Sequence, residues 1–277
     1  MSPKLLRRST ALAAMLTLAA AGTASAKGGD QPYDDARTSG RVLFATTDQN
    51  QLIRFNSSNP DRLKDIRTIT GLNGATLVGI DFRPATGDLY GLGSDSIVYR
   101  VNPRTGIAVS EGPAVAPAPT GRFFGFDFNP TVDKIRVTSD AAASLRLNVD
   151  EGTLLANDPA LNPGTPRVVG SAYANSSFTA SKPMTTVLYA IDSATDTLSV
   201  QNPMTSALTT VRRLPFDIAD QAGFDIAGTD NVGYIATRSN RGSALYMVDP
   251  TTGRSRSAGR IGGGNRLVVT GLAAWQD

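Results

Sequence analysis

The sequence has no cysteine and no histidine among its 277 residues, a single tryptophan, and aromatics at only 6%. Without cysteine there is no disulfide, no thiolate nucleophile and no thiol for an amino-terminal lipid anchor. Without histidine there is no Ser-His or Cys-His pair, no imidazole metal ligand and no histidine proton shuttle. Net charge of one sign is also lacking. Three of the 27 basic residues, Lys4, Arg7 and Arg8, fall in the first 26 positions, which hold no acid, and the rest balance the 24 acidic residues. A neutral chain of that kind is not built to trap nucleic acid or anionic lipid. Only one long apolar run occurs, Ala11 to Ala21, and it is shorter than the roughly 20 residues that span a bilayer.

That run follows a basic stretch and precedes Ala24-Ser25-Ala26, a small-x-small cleavage pattern. Together they read as a secretory signal peptide over 1–26 and predict export to a periplasm or the cell exterior without membrane insertion. Residues 27–41 are expected to form a flexible tail, and 42–277 a single domain. A chain of about 250 residues buries roughly 70–75% of its unfolded surface, so a core can hold it without disulfides.

Aligned with itself, the chain repeats. Strand, turn and strand recur in VLFATTDQNQLIRFN from Val42, DLYGLGSDSIVYRVN from Asp88, DKIRVTSDAAASLRLN from Asp133, TVLYAIDSATDTLSVQN from Thr186 and NVGYIATRSNRGSALYMVD from Asn231. The residues closing the copies are Asn56, Asn102, Asn148, Asn202 and Asp249, at intervals of 46, 46, 54 and 47. Between them recurs a further strand: LVGIDFRP from Leu77, FFGFDFNP from Phe123, VVGSAYAN from Val168, QAGFDIAG from Gln221 and VTGLAAWQ from Val269. Alternation of apolar and other side chains gives half-buried strands, and four strands in 40–50 residues is one propeller blade. Turns such as Asn102-Pro-Arg-Thr-Gly106 and Asp249-Pro-Thr-Thr-Gly253 set φ with proline and release it with glycine. The first copy lacks the extra strand and the chain ends on a lone one, Gly271 to Trp275. The expectation is an all-β, five-bladed propeller closed by pairing that strand with the amino-terminal repeat, with six blades as the alternative. A monomer follows.

The segments VGIDFRPATGDLYGLG, FFGFDFNPTVDKIRVTSD and NDPALNPGTPRVVGSAYANS resemble a family of secreted bacterial proteins grouped as a domain of unknown function, number forty-three ninety-four in that series, from about Val42 to Trp275. The resemblance implies the propeller and export. It carries no catalytic residues.

Asp81, Asp127 and Asp225 share one place in three copies, with Ser171 and Ala273 read as the replacements in the other two. Repetition argues that they accept hydrogen bonds at a joint each blade needs; the sharper reading is a ring of oxygen ligands for a calcium-type ion. The pairs Asp217/Asp220 and Asp34/Asp35 offer the two carboxylates of glycoside chemistry, without a supporting context. Phe123 and Trp275 are the expected exposed aromatics, available for stacking on a partner, while Phe124, Phe126 and Phe128 are expected to pack between blades. With no reactive set on the scaffold, no catalytic residue and no cofactor is assigned. The expected function is a non-enzymatic binding module for a protein or small molecule. The alternative is a calcium-type hydrolase, of the lactonase kind, working in the channel.

Overall fold

The computed structural model describes residues 40–178, 181–228, 230–263 and 266–276. The leader, the tail as far as residue 39, and with them Asp34 and Asp35, lie outside that description. The described residues form twenty strands in five antiparallel sheets of four.

Blade one holds β1 (Val42–Thr47), β2 (Gln51–Asn56) and β3 (Asp65–Thr68), with β20 (Val269–Ala274) as its innermost strand. Blade two runs β4 (Leu77–Phe82), β5 (Leu89–Gly93), β6 (Val98–Val101) and β7 (Ala108–Ser110). Blade three runs β8 (Phe124–Asn129), β9 (Lys134–Ser139), β10 (Ser144–Asn148) and β11 (Thr153–Asn157). Blade four runs β12 (Val168–Tyr173), β13 (Leu188–Asp192), β14 (Thr197–Gln201) and β15 (Leu208–Arg213). Blade five runs β16 (Ala222–Ile226), β17 (Gly233–Ser239), β18 (Gly242–Val248) and β19 (Ser255–Arg260). The molecule is thus an all-β, five-bladed β-propeller.

Closure occurs where the repeat count demanded it. β20 pairs antiparallel with β1, matching Leu43 to Ala274 and Ala45 to Leu272, and Trp275 N–H donates to Val42 O at 2.9 Å. The strand begins at Val269, two residues before the expected Gly271, because Thr47 and Val269 still pair across a bulge.

The closing residues of the repeats earn their place through their side chains. Asn102 Oδ1 accepts from Arg104 N–H at 2.9 Å, Asn202 Oδ1 from Met204 N–H at 2.9 Å and Asp249 Oδ1 from Thr251 N–H at 2.9 Å. Each sidechain thereby tightens its turn, as Asn and Asp do wherever a backbone donor lies two residues on. The inner strands β12 and β16 are buried throughout, whereas the outermost strands β3 and β15 are largely exposed.

Apolar cores fill the seams between consecutive blades. Phe126, Phe128, Tyr90 and Val137 pack between blades two and three, and Leu43, Phe55, Tyr234 and Met247 between five and one. The seam between blades three and four differs: its apolar cluster is reduced to Leu161, Val168 and Ala190 with a few half-buried neighbours. A buried Arg136 occupies it instead, donating to Asp158 Oδ2 at 2.6 Å, Ser144 Oγ at 3.0 Å and Pro203 O at 3.0 Å. A buried cation needs that many partners to offset its lost hydration. Asp158 lies in the segment that follows β11.

Candidate functional site

The five innermost strands line the axis, and each carries a glycine at its second or third position: Gly79, Gly125, Gly170, Gly223 and, in β20, Gly271. A β-carbon on Gly79 would sit 2.7 Å from Phe126 Cβ, on Gly125 2.5 Å from Ser171 N, on Gly170 2.8 Å from Phe224 Cβ, on Gly223 2.7 Å from Leu272 Cβ and on Gly271 3.2 Å from Gly79 Cα. The contacts run once around the ring. Glycine is therefore required at these sites for close approach of one inner strand to the next, not for its conformation.

Two residues after the glycine come the carboxylates. The structure brings Asp81, Asp127 and Asp225 together, each offering an oxygen within 4.8 Å of the others, and all are buried. Their partners are backbone amides. Asp81 accepts from Phe82 N–H at 2.6 Å and, across the seam, from Phe128 N–H at 2.8 Å. Asp127 accepts from Tyr173 N–H at 3.0 Å. Asp225 accepts from Ile226 N–H at 2.6 Å and from Ala274 N–H at 2.5 Å.

Phe82, Phe128, Tyr173, Ile226 and Ala274 are the same position in five blades. Three carboxylates thus satisfy five equivalent inward amides, the blades without an Asp being served by a neighbour's. Buried N–H groups need partners, and in this ring the count closes. It also corrects the register read from sequence: since Tyr173 is the equivalent of Phe128, the residue replacing Asp in blade four is Ala172, not Ser171. Ser171 instead packs on Gly125, where Phe126 packs on Gly79.

Five of the six carboxylate oxygens accept an amide, which leaves Asp127 Oδ2 turned to Asp225. Burial pushes all three carboxyls up, with mutual repulsion adding at Asp81 and Asp127. Asp225 is pushed up to about 7, again chiefly by burial. The hydrogen bond between Asp127 and Asp225 raises the former and lowers the latter. Three carboxyls so close cannot all ionise without a compensating positive charge, so protons are shared within the cluster.

The amino-terminal ends of the inner strands open onto a cavity of about 110 Å³. Four blades build this mouth, contributing Asp48, Thr76, Arg122, Phe123, Gln221 and Thr270 among others. The backbone entering β8 is pinned, because Asp140 Oδ1 accepts from Arg122 N–H at 2.8 Å and Phe123 N–H at 3.2 Å. Arg122 lays its guanidinium over the Phe123 ring, 5.9 Å from the centroid. Asp220 is held by Arg167 and by Ser193 Oγ–H at 2.8 Å; Asp217 is not among the lining residues. Gln221 Oε1 accepts from Arg238 at 2.5 Å.

At the other end Phe178, which follows β12 in blade four, reaches the seam between blades one and two. It packs edge-on to Trp275 at 4.9 Å and near Phe82 at 6.0 Å. Trp275, expected to be exposed, is accordingly half-buried, and so is Phe123. Composition could not have found either packing, since Phe178 lies nearly a hundred residues from its partners.

A ring of five four-stranded blades, with an amide-saturated carboxylate cluster on its axis and one polar mouth, defines the class: a small closed β-propeller. The chain belongs to the family described as a domain of unknown function (DUF4394), whose model matches residues 51–273. No match occurs among curated proteins. Among solved structures it is similar to a chain in a nidogen/laminin complex, at 11% identity over 86% of this chain and 100% of that one, TM-score 0.48. It is similar also to the Dos1 propeller, at 12% identity over 78% and 56%, TM-score 0.42. A structural-genomics protein of unknown function from Bacteroides thetaiotaomicron matches at 13% identity over 79% and 57%, TM-score 0.46.

Proposed function

We propose that the chain is an exported, non-catalytic binding module that receives a protruding polar group of its partner in the channel mouth. The observation carrying this reading is the mouth itself. Its backbone is pinned by Asp140, it presents Asp48, Arg122 and the Phe123 ring, and its volume of about 110 Å³ falls well below the roughly 300–1,000 Å³ of a site that engulfs a small molecule. Such a mouth accepts the tip of something larger. A hydrolase with an ion on Asp81, Asp127 and Asp225 is the weaker reading. A calcium ion takes six to eight oxygens, whereas these oxygens already accept amides and protons can offset the charge.

Thermal melts of the mature chain against dipeptides and monosaccharides at millimolar concentration test the proposal. A saturable rise in Tm that disappears in Phe123→Ala supports it. Turnover of a lactone or ester, together with a Tm that drops in chelator and recovers with calcium, would favour the hydrolase and overturn the binding module.

A further inference from the structure

A second concave feature lies away from the axis, where blades one and two splay apart. It is an open groove of about 930 Å³ with Val42, Phe44, Val101 and Trp275 among its lining residues. Four guanidiniums line it against two carboxylates, Asp65 and Asp88: Arg54 on β2, Arg67 on β3, Arg100 on β6 and Arg104 in the turn between β6 and β7.

Two of the four have internal carboxylate partners. Arg67 bonds Asp65 at 2.8 Å and also donates from Nε to Arg104 O at 3.0 Å, tying the two blades together. Arg100 bonds Glu111 at 2.8 Å. The side chains of Arg54 and Arg104 are exposed and have no hydrogen bond or ion pair among the described residues. Between these cations stand Ile107 and Val109, each more than half exposed, and Val42, more than a third exposed.

The edge of the sheet here is blunted. Thr70 N–H donates to Gly106 O at 3.1 Å and Ala108 N–H donates to Thr70 O at 2.8 Å, so the amino-terminal part of β7 is already capped. A partner would not add a strand at that point; recognition would have to come from side chains. Unpaired guanidiniums select carboxylates, which they hold bidentately, and spaced β-branched side chains select apolar groups between the charges. Sugar rings are better met by aromatic faces, and of the two aromatic rings in this lining Phe44 is buried and Trp275 is half-buried against Phe82 and Phe178.

We infer that the groove between blades one and two is an interaction surface for an extended acidic peptide segment of a partner protein, in which Asp or Glu alternates with apolar residues. Arg54 and Arg104 take its carboxylates, and Ile107 and Val109 take the side chains between them. This surface is separate from the channel mouth and does not depend on the reading of the mouth.

The test is fluorescence anisotropy of the full mature chain with a labelled heptapeptide of sequence GEVELEG, compared with the same peptide carrying Lys for every Glu. The side chains of Arg54 and Arg104 are exposed and make no internal bonds, so Arg54→Gln/Arg104→Gln should melt as the parent does. The acidic peptide is expected to bind, to weaken about tenfold or more in the double variant, and to weaken further as salt shortens the screening length from about 10 Å at 0.1 M to about 3 Å at 1 M. Phe123→Ala, at the mouth, should leave this binding unchanged. Binding of the lysine peptide with equal affinity, an unaltered affinity in the double variant, or no binding of the acidic peptide at low salt overturns the inference. So does displacement of the peptide by tetragalacturonate that itself binds more tightly, which would assign the groove to an anionic polysaccharide.

Discussion

At the scale of single residues, Asp81, Asp127 and Asp225 govern how stability varies with pH. Their carboxyls are raised by burial, Asp225 to about 7, so the folded state holds protons that the unfolded chain releases near the usual value of 3.8. Their contribution is complete in acid and declines as pH rises toward 7. Asp133, Asp158 and Asp249 act oppositely. The side-chain hydrogen bond from Arg83 lowers Asp133; burial alone would raise Asp158 and Asp249, but hydrogen bonds from Arg146 and Arg136 to the first and from Thr251 and Thr252 to the second outweigh it and lower both. Their contribution is lost as pH falls below the ordinary carboxylate range. Tm should therefore peak near about pH 4 and fall toward pH 8, as read by a calorimetric series. Asp127→Asn preserves the oxygen that accepts Tyr173 N–H and supplies a permanent donor to Asp225. It should fold and flatten the fall above pH 5, whereas Asp127→Ala strands a buried amide at a cost of about 1–3 kcal/mol. An Asn variant with the parental pH slope would refute the shared proton.

At the scale of the element, the unit that matters is the inner strand with its Gly-x-Asp pattern. The glycine gives the close approach and the carboxylate, where present, satisfies amides on both sides of a seam. Gly125→Ala places a methyl group 2.5 Å from both Ser171 N and Thr138 Oγ1, backbone on one side and a buried threonine on the other, and neither has room to move. The expected loss is about 1–3 kcal/mol, or roughly 2–4 °C of Tm per kcal/mol in a chain of this size. Tm within 1 °C of the parent would show that the ring can expand at that seam. The one-residue slip that put Ser171 in the Asp position belongs to this scale too. VVGSAYAN has no acid to anchor the comparison, and only the amide of Tyr173 meeting Asp127 settles which residue faces the axis.

For the molecule as a whole, closure is the decisive interaction. Removing residues 269–277 strips β1 of one partner, leaving an unpaired edge that invites aggregation, and uncovers the side of β4 that packs on β20. The truncated chain should lose its cooperative melt and leave the parent's elution position in size-exclusion chromatography, with circular dichroism reporting the loss of sheet. A truncated chain that elutes as the parent does and melts cooperatively would mean that the other four blades suffice.

The blade count, the strand order and the closing strand were legible in the sequence, because a repeat of 46–54 residues with matching turns leaves few ways to bury its apolar positions. Also legible was that Asp81, Asp127 and Asp225 share one task, since a recurrent residue answers a recurrent need. What the sequence could not supply were meetings between distant positions: three carboxylates sharing five amides, Arg136 filling a seam poor in apolar side chains, Phe178 crossing to Trp275, and two arginines left without partners between splayed blades. Local pattern fixes the alternation of each strand, but such encounters depend on how the blades are angled around a common axis, and that angle is set only when the ring shuts.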